Sequence, residues 1–425
     1  MKKTDCKKVV ISNEDVKVCI PVMGGNKEEI LNSLESVVKM SPDIIEWRAD
    51  FFKPEKLSDY ENVLSDMKDV LDDIPLIFTF RTLKEGGNKD ITWEQYCSLC
   101  EYISKIGDMY NVIFIDIEIF QNKEYASCLI KKIHSNNMKV IGSNHHFDMT
   151  PGTGEMTDIL KYIEKSGADI CKLAVMPLDK EDVKKLIETS KIADKELKVP
   201  VITISMGELG AVTRVVPYIT KSVITFAAGD NASAPGQPDI KIVRRLLREN
   251  KNCTIKGDIA IIGFMGTGKT TISNTLSMIT GLKEVDVDRY IVEKEGMEIS
   301  EIFEKYGEEY FRKSETKALR EIACKEGQII SCGGGAVLRD ENVKILKENG
   351  TVILLTASPE TIFDRVKDHT HRPILNNDMS LEHVKSLMAE REPRYQSVAD
   401  IKINVDSNDR VLTCYNMLCG LEEKG

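Results

Sequence analysis

A glycine-rich motif near the middle of the chain constrains the fold more than any other feature. Residues 263–270 read GFMGTGKT and follow the apolar run IAII, which fits the pattern G-x-x-x-x-G-K-[ST] between a strand and a helix. The glycines let backbone N–H groups converge on phosphate oxygens, while Lys269 can reach the β- and γ-phosphates and the Thr270 hydroxyl can ligate Mg²⁺. We therefore predict a nucleoside triphosphate site, against the alternative of a plain glycine-rich turn.

Chain length indicates more than one domain. The 425 residues exceed the size at which a single core stops growing, and the motif opens the second part of the chain. We predict two domains, 1–252 and 253–425. The chain is 42% hydrophobic and 30% charged, and no apolar run approaches the ~20 residues that span a bilayer. With no apolar signal segment near the N-terminus, we expect no membrane segment and a cytoplasmic location.

Net charge and cysteine content argue against nucleic-acid binding, a disulfide framework and a cysteine metal site. A net charge of −10 argues against a general nucleic-acid binder, which concentrates lysine and arginine on one face. The 11 cysteines are an odd number scattered along the chain and give no disulfide framework. The C-x-x-C pair of Cys97 and Cys100 has no second pair, so we expect no metal there.

Regularly spaced apolar runs indicate the architecture of the first domain. Most are separated by charged stretches of helical length, such as 27–40 and 123–136. Repeated strand–helix units predict parallel strands, and eight of them fit a closed (β/α)₈ TIM barrel, with an open doubly wound sheet as the alternative. The runs are 16–23, 43–47, 75–80, 112–119, 138–143, 168–175, 200–205 and 222–227.

Polar residues mark the C-terminal ends of these runs, where barrel enzymes carry their chemistry. They are Glu46, Arg48, Arg81, Glu85, Asp116, Glu118, His145, His146 and Lys172. Lys172 is the most informative, because it lies inside the apolar run 170–176. Burial would favour its neutral amine, a nucleophile suited to a Schiff base with a ketone or aldehyde, whereas the alternative is a solvated lysine at a strand end. A histidine one strand away could then move a proton. Because neighbours on a strand face opposite sides, His145 and His146 cannot both point inward.

Five motifs in the first domain resemble type I 3-dehydroquinate dehydratases over about residues 10–250. They are EWRAD at 46–50, TFRT at 79–82 with EGG at 85–87, SNHHF at 143–147, GADICKLAVMP at 167–177 and SAPGQ at 233–237. The resemblance implies that Lys172 forms the Schiff base and that His145 is the general acid/base, with Glu85 beside it. The substrate-binding residues that it implies are Glu46, Arg48, Arg81, Arg214, Ser233 and Gln237.

The implied dehydration requires no metal or organic cofactor. Arg214 suits the substrate carboxylate, because a guanidinium pairs with a carboxylate through two hydrogen bonds.

Two positions depart from the family pattern: His146 stands where an Asp is usual, and Ile204 where a Met is common. A Schiff-base aldolase acting on a sugar phosphate is the alternative enzyme. We also consider a homodimer formed through the barrel domain.

The second domain carries further motifs around the glycine-rich loop. The sequence VDVDR at 285–289 puts Asp286 and Asp288 on one face of a short strand, and SCGGG at 331–335 lets a ligand approach the backbone closely. Together with GEEYFR at 307–312, HRP at 371–373 and REPRY at 391–395, these motifs resemble shikimate kinase over nearly all of residues 256–420. The implied fold is a P-loop NTPase-type α/β/α domain with a parallel sheet.

The kinase resemblance implies a role for each matching residue. Asp288 is the candidate base, and Asp286 supports Mg²⁺ with Thr270. Arg365 packs on adenine, and Arg372 lies on a lid and acts on the transferring charge. The residues that bind shikimate are Asp288, Arg312, Gly334 and Arg391, and those of the ATP loop are Gly266, Thr267, Gly268, Lys269, Thr270 and Thr271. A sensing module that binds nucleotide or shikimate without turnover is the alternative.

The two implied reactions are not consecutive. The barrel would release 3-dehydroshikimate, whereas the kinase needs shikimate, so a reduction of the ketone must come between them. Neither domain shows G-x-G-x-x-G after a strand, the signature of a dinucleotide site. We therefore expect a separate shikimate dehydrogenase as a metabolic partner.

Overall fold

The computed structural model describes residues 2–6, 9–229, 234–251, 255–367 and 380–424. The chain divides into two compact units, Met1–Leu247 and Arg248–Gly425. Among the described residues, no helix combines the length and apolar character needed to cross a membrane.

The first unit is a barrel of eight parallel strands preceded by a hairpin. The hairpin strands are β1 (Lys3–Cys6) and β2 (Val9–Ser12), and the barrel strands are β3 (Lys17–Val22), β4 (Ile44–Arg48), β5 (Leu76–Thr79), β6 (Val112–Glu118), β7 (Lys139–His146), β8 (Ile170–Val175), β9 (Val201–Ser205) and β10 (Ile224–Phe226). Strand β10 pairs with β3, and a bridge between Val201 and Ser222 links the other edge. Each predicted run coincides with one barrel strand, so the barrel prediction is confirmed.

The longer helices pack around the barrel because each has apolar side chains along one face, which are buried against the rest of the unit. In the first helix, Ile30, Leu34 and Val37 are buried at helical spacing. The helices of this unit are α1 (Lys27–Val38), α2 (Ser58–Leu71), α3 (Trp93–Ile106), α4 (Lys123–Ser135), α5 (Thr153–Lys165), α6 (Lys180–Glu196), and the short α7 (Gly207–Gly210), α8 (Val212–Val215) and α9 (Pro217–Thr220). Helix α10 (Ile240–Lys251) begins in this unit and contains the boundary at Leu247.

A layer of apolar side chains fills the barrel floor, with one residue from each strand. The layer consists of Cys19, Ile44, Ile77, Phe114, Ile141, Ile170, Ile202 and Ile224, and Ile11 of the hairpin packs in the same cluster. Because the amino-terminal end of the barrel is packed with these side chains, polar groups can gather only toward the carboxyl-terminal ends of the strands.

The second unit has a five-stranded parallel sheet in the order β12-β13-β11-β14-β15. Its elements are β11 (Asp258–Gly263), α11 (Lys269–Thr280), β12 (Lys283–Asp286), α12 (Val287–Glu295), α13 (Ile299–Ile322), β13 (Gln328–Ser331), α14 (Asp340–Asn349), β14 (Gly350–Thr356), α15 (Pro359–Val366), α16 (Leu381–Val398), β15 (Ile401–Asn404) and α17 (Arg410–Lys424). The central strand β11 leads through the glycine-rich loop into α11, so the predicted parallel-sheet domain is confirmed. The prediction of Asp286 and Asp288 on one strand face is wrong, because β12 ends at Asp286 and Asp288 lies in the first turn of α12.

Candidate active sites

Residues from separate barrel strands meet in one cavity at the carboxyl-terminal ends of the strands. The cavity contains every residue that the dehydratase resemblance assigns to the site and that the structure describes, namely Glu46, Arg48, Arg81, Glu85, His145, Lys172, Arg214 and Gln237. Ser233 lies outside the described residues. Ile204, one of the departures from the family pattern, also lines the cavity.

Lys172 is buried within this cavity, as its apolar surroundings in the sequence predicted. Its Nζ lies 3.0 Å from Asp116 Oδ2 and 3.5 Å from Glu46 Oε1. The ring of Phe226 lies 4.5 Å from Nζ. The ammonium is therefore not isolated in an apolar pocket as we expected, because two carboxylates and an aromatic face stabilise its charge.

His145 is paired with Glu85 on the neighbouring loop. Its Nδ1 lies 2.8 Å from Glu85 Oε2, and Asn144 donates to the other carboxyl oxygen at 3.3 Å. Burial lowers the pKa of His145 well below its ordinary value, and the cations Arg81 and Lys172 lower it further. Burial likewise raises the pKa of Glu85, with Glu118 adding to the effect. The pair thus presents a neutral imidazole, the form that accepts a proton.

The adjacent His146 lies apart from this arrangement. It does not line the cavity, and its buried Nε2 has no hydrogen-bond partner within the described ranges. Because β7 is extended through both histidines, His145 and His146 project to opposite sides of the strand. The alternation that the sequence predicted therefore separates them.

Carboxylates that had no predicted role in the site hold the predicted arginines in place. Arg81 contacts Asp116 at 2.9 Å and Glu118 at 3.0 Å, while Arg48 makes two bonds of 2.8 Å to Asp50. The sequence contained a signal for Asp116 and Glu118, since both lie in the fourth apolar run two residues apart. Which cation each carboxylate meets depends on strand register and was not predictable.

Arg214 differs from the other cavity cations. It is buried, and burial lowers the pKa of its guanidinium to about 10. Its Nη2 donates to the Pro235 carbonyl oxygen at 3.4 Å. Within the described part of the chain, Arg214 has no ion-pair partner and its buried Nε has no hydrogen-bond partner. A buried guanidinium without an ion-pair partner is suited to bind an anionic group of a ligand.

The second site is a cleft beside the glycine-rich loop. Gly268 takes a left-handed φ of 84° and precedes α11, whose first turn has no acidic side chain. The α11 N-terminus therefore directs backbone N–H groups and a positive dipole toward the cleft. Lys269 Nζ donates to the carbonyl oxygens of Gly263 and Phe264 at 2.9 and 3.0 Å. Thr270 Oγ1 donates to Asp286 Oδ2 at 2.8 Å.

The opposite side of the cleft is formed by α13 and the loop after β13. Arg312 pairs with the fully buried Glu315 at 3.1 Å. Burial raises the pKa of Glu315 to about 7, although Arg312 opposes the shift. A Cβ at Gly335 would lie 2.4 Å from an Arg312 nitrogen, and a Cβ at Gly333 would lie 2.7 Å from Asp288 Oδ1. A side chain at Gly333 or Gly335 would therefore displace Asp288 or Arg312 from its present position against this loop.

The cleft gathers nearly all the predicted residues of the second domain in a space of ≈ 910 Å³. They are Gly266, Gly268, Lys269, Thr270, Thr271, Asp286, Asp288, Arg312, Gly334, Arg365 and Arg391. Thr267 is buried instead, and its hydroxyl donates to the Phe264 carbonyl oxygen at 2.8 Å. Arg372 lies outside the described residues.

Comparison with protein families assigns the two units separately. The model of type I 3-dehydroquinase matches residues 18–252, and the model of shikimate kinase matches residues 265–417.

Individual proteins are similar to parts of this chain. The 3-dehydroquinate dehydratase of Listeria monocytogenes serotype 4a is 35% identical over 248 residues, covering 58% of this chain and 97% of that protein. The structure of the Clostridium difficile type I enzyme with covalently modified comenic acid has a TM-score of 0.56 and 36% identity, over 60% of this chain and 99% of that chain. The structure of Acinetobacter baumannii shikimate kinase in complex with shikimate has 30% identity and a TM-score of 0.39, over 40% of this chain and 95% of that chain.

Proposed function

Because the chain belongs to the type I 3-dehydroquinase family over residues 18–252 and to the shikimate kinase family over residues 265–417, we propose how each unit works. The chain is a bifunctional enzyme of the shikimate pathway. In this proposal the barrel dehydrates 3-dehydroquinate through an imine on Lys172, and the second unit transfers a phosphoryl group from ATP to shikimate. The observation that carries the barrel assignment is a buried lysine in the same cavity as a carboxylate-paired histidine and the buried Arg214.

The barrel residues suit each step of an imine-based dehydration. The Lys172 ammonium gives up a proton, its amine adds to the substrate ketone, and the proton returns as water leaves, which gives an iminium that acidifies the adjacent C–H bond. His145 accepts that proton and then returns it to the departing hydroxyl group. Water hydrolyses the iminium and releases 3-dehydroshikimate and the free lysine. The iminium itself takes up the electron pair, so these steps require no metal or organic cofactor.

Substrate recognition in the barrel follows from the same geometry. We assign the substrate carboxylate to Arg214, whose buried guanidinium lacks an ion-pair partner among the described residues. Glu46, Arg48, Arg81 and Gln237 remain assigned to the substrate hydroxyl and carboxylate groups, because all four line the cavity. The predicted contact by Ser233 is retained on the family resemblance alone.

In the second unit we assign the accepting shikimate hydroxyl to Asp288, as the general base, and the shikimate carboxylate to Arg312 and Arg391. Lys269 and the N–H groups at the start of α11 would bind the ATP phosphates. Thr270 and Asp286 provide hard oxygen donors 2.8 Å apart, a set that fits Mg²⁺. When bound, this ion neutralises charge that develops on the phosphates. Arg365 at the cleft edge and Arg372 keep their predicted roles.

The pathway requires a further enzyme between the two reactions. The barrel product retains a ketone where shikimate has a hydroxyl, so a reductase must act before the kinase. We propose a separate, NADPH-dependent shikimate dehydrogenase as this metabolic partner. We also propose a cytoplasmic location, where ATP is available to the kinase.

Covalent trapping tests the barrel assignment directly. The full chain is incubated with 3-dehydroquinate, reduced with borohydride and analysed by peptide mass spectrometry. We expect one adduct, on Lys172. An adduct on another residue, or none, would contradict the imine mechanism.

A direct assay tests the kinase assignment. Shikimate and Mg²⁺-ATP should yield ADP and a phosphorylated product, whereas binding without turnover would support the sensing alternative. Asp288→Asn should abolish transfer and leave ATP affinity in isothermal titration within about threefold, because Asp288 contacts the acceptor in this proposal and not the nucleotide.

A further inference from the structure

A single buried carboxylate connects the two central cations of the barrel site. Asp116 Oδ2 accepts from Lys172 Nζ at 3.0 Å, and Asp116 Oδ1 lies 2.9 Å from Arg81 Nη2. The Ser143 hydroxyl also donates to Oδ1, at 2.6 Å. The Asp116 side chain has no exposed surface, so every one of these contacts is shielded from water.

The neighbouring carboxylates lie farther from Lys172 Nζ or contact other groups. Glu46 lies 3.5 Å from Lys172 Nζ and accepts from the Thr79 hydroxyl. Glu85 holds His145, and Glu118 accepts from the backbone and hydroxyl of Thr82. Asp116 is therefore the nearest anion to the lysine nitrogen among the described carboxylates.

Asp116 stays ionised in this setting. Burial alone would raise its pKa, but Arg81 and Lys172 outweigh burial and lower the pKa to about 2. Its negative charge is thus present throughout the neutral pH range.

We propose that Asp116 is a catalytic residue of the dehydratase, acting as the permanent counter-ion of the Lys172 nitrogen; this rests on the imine mechanism proposed above. In iminium formation the ammonium and the ketone give a protonated C=N bond and one water, so the positive charge remains on nitrogen. An anion 3.0 Å away favours the protonated C=N bond over the neutral imine, and the protonated form is the one that acidifies the adjacent C–H bond. Through Arg81, the same carboxylate also fixes the cation beside His145.

The test replaces Asp116 with asparagine, which keeps the shape and removes the charge. We expect kcat for dehydration to fall by about 10²-fold or more, as for other preorganised charge stabilisers, with KM changed by less than about threefold. The rate of adduct formation with 3-dehydroquinate and cyanoborohydride should also reach half its maximum at lower pH, by about one unit. Without the anion, the ammonium loses its proton more readily.

Glu118→Gln is the matched control. It also removes a buried carboxylate from Arg81 but does not contact Lys172, so it should lower activity without moving the pH of trapping. Kinase activity of the same chain reports protein concentration and integrity. If the Asp116→Asn barrel does not fold, Ser143→Ala should shift the pH of half-maximal trapping in the same direction by a smaller amount, because it removes a hydrogen bond that positions Asp116.

The experiment distinguishes failure of the imine mechanism from failure of the Asp116 proposal. If the unaltered enzyme forms no adduct, the imine mechanism itself is wrong. If it does, and Asp116→Asn retains kcat within twofold and an unchanged trapping pH, or Ser143→Ala moves neither quantity, Asp116 is not the counter-ion.

Discussion

The two sites of this chain differ in whether their charged groups are already paired before substrate binds. In the barrel, cations that line a cavity of ≈ 50 Å³ are already paired with buried carboxylates, such as Lys172 with Asp116 and Arg48 with Asp50. The cleft of the second unit measures ≈ 910 Å³, and its Lys269 binds carbonyl oxygens of the same loop. The barrel is thus organised before substrate binds, whereas in the cleft Lys269 must exchange its contacts for those of the nucleotide.

This contrast follows from the chemistry that each family performs. In the proposed imine mechanism an iminium is formed and hydrolysed on one nitrogen, so fixed dipoles and charges around that atom would lower the barrier without reorganisation. Phosphoryl transfer depends on positioning two substrates and excluding water. We therefore expect single substitutions to act differently on the two activities.

The largest effect should come from removing each lysine in turn. Lys172→Ala should lower dehydration by roughly 10⁶-fold, as when a nucleophile is lost, and leave phosphorylation of shikimate within about twofold. Lys269→Ala should do the reverse and also weaken ATP binding. Steady-state assays of both activities on each variant provide the check. Substantial residual dehydration by Lys172→Ala would remove the basis of the imine mechanism.

The second effect separates the adjacent histidines. His145→Ala should lower dehydratase kcat by about 10² to 10⁴-fold, the usual contribution of a positioned acid/base, while borohydride still traps the imine. His146→Ala should change kcat by less than about tenfold, because His146 does not line the cavity. Greater damage from His146→Ala would show that we assigned the wrong histidine.

The third effect concerns pH and is smaller. His145 must be neutral to accept a proton, and its pKa is well below the ordinary value of 6.5. The base form therefore persists as pH falls through 6.5 and is lost only at the lower pKa. We expect kcat/KM for dehydration to fall by less than about twofold between pH 7.5 and 6, where an unperturbed histidine would already be mostly protonated. A midpoint near 6.5 would contradict this assignment.

The smallest effect should follow from cutting the chain. We expect fragments 1–252 and 253–425, produced separately, each to retain kcat/KM within about threefold of the intact protein, because each should contain a complete core and site. Matched assays of both fragments against the intact chain test this. A loss of tenfold or more in either fragment would mean that the other domain contributes to its site.

Much of the architecture was predictable from periodicity. The eight apolar runs correspond to β3–β10, and the glycine-rich loop lies between β11 and α11 as the motif requires. The hairpin of β1 and β2 was missed, because KTDC in β1 is largely polar and shows no strand pattern. Its Ile11 packs against the barrel floor, a tertiary contact that no local pattern encodes.

The sequence predicted which residues gather in each cavity, but not which of them contact one another. Motif positions identified Lys172, His145 and Glu85, yet Asp50 and Asp116 were not assigned to the site. Their importance depends on which cation lies opposite, and this is decided by the pairing of β4, β6 and β8 around the ring. Residue spacing within one strand gives the face of a side chain, but pairing across strands requires the three-dimensional register.

Strand β7 shows what such pairing means for the way this protein can evolve. Consecutive residues Ser143, Asn144 and His145 contact Asp116 and Glu85, and so serve both charge clusters of the cavity. A substitution removes one of these contacts, whereas deletion of a single residue from β7 would turn every later side chain to the other face. In a library of variants, this strand should therefore tolerate many replacements but almost no change in length.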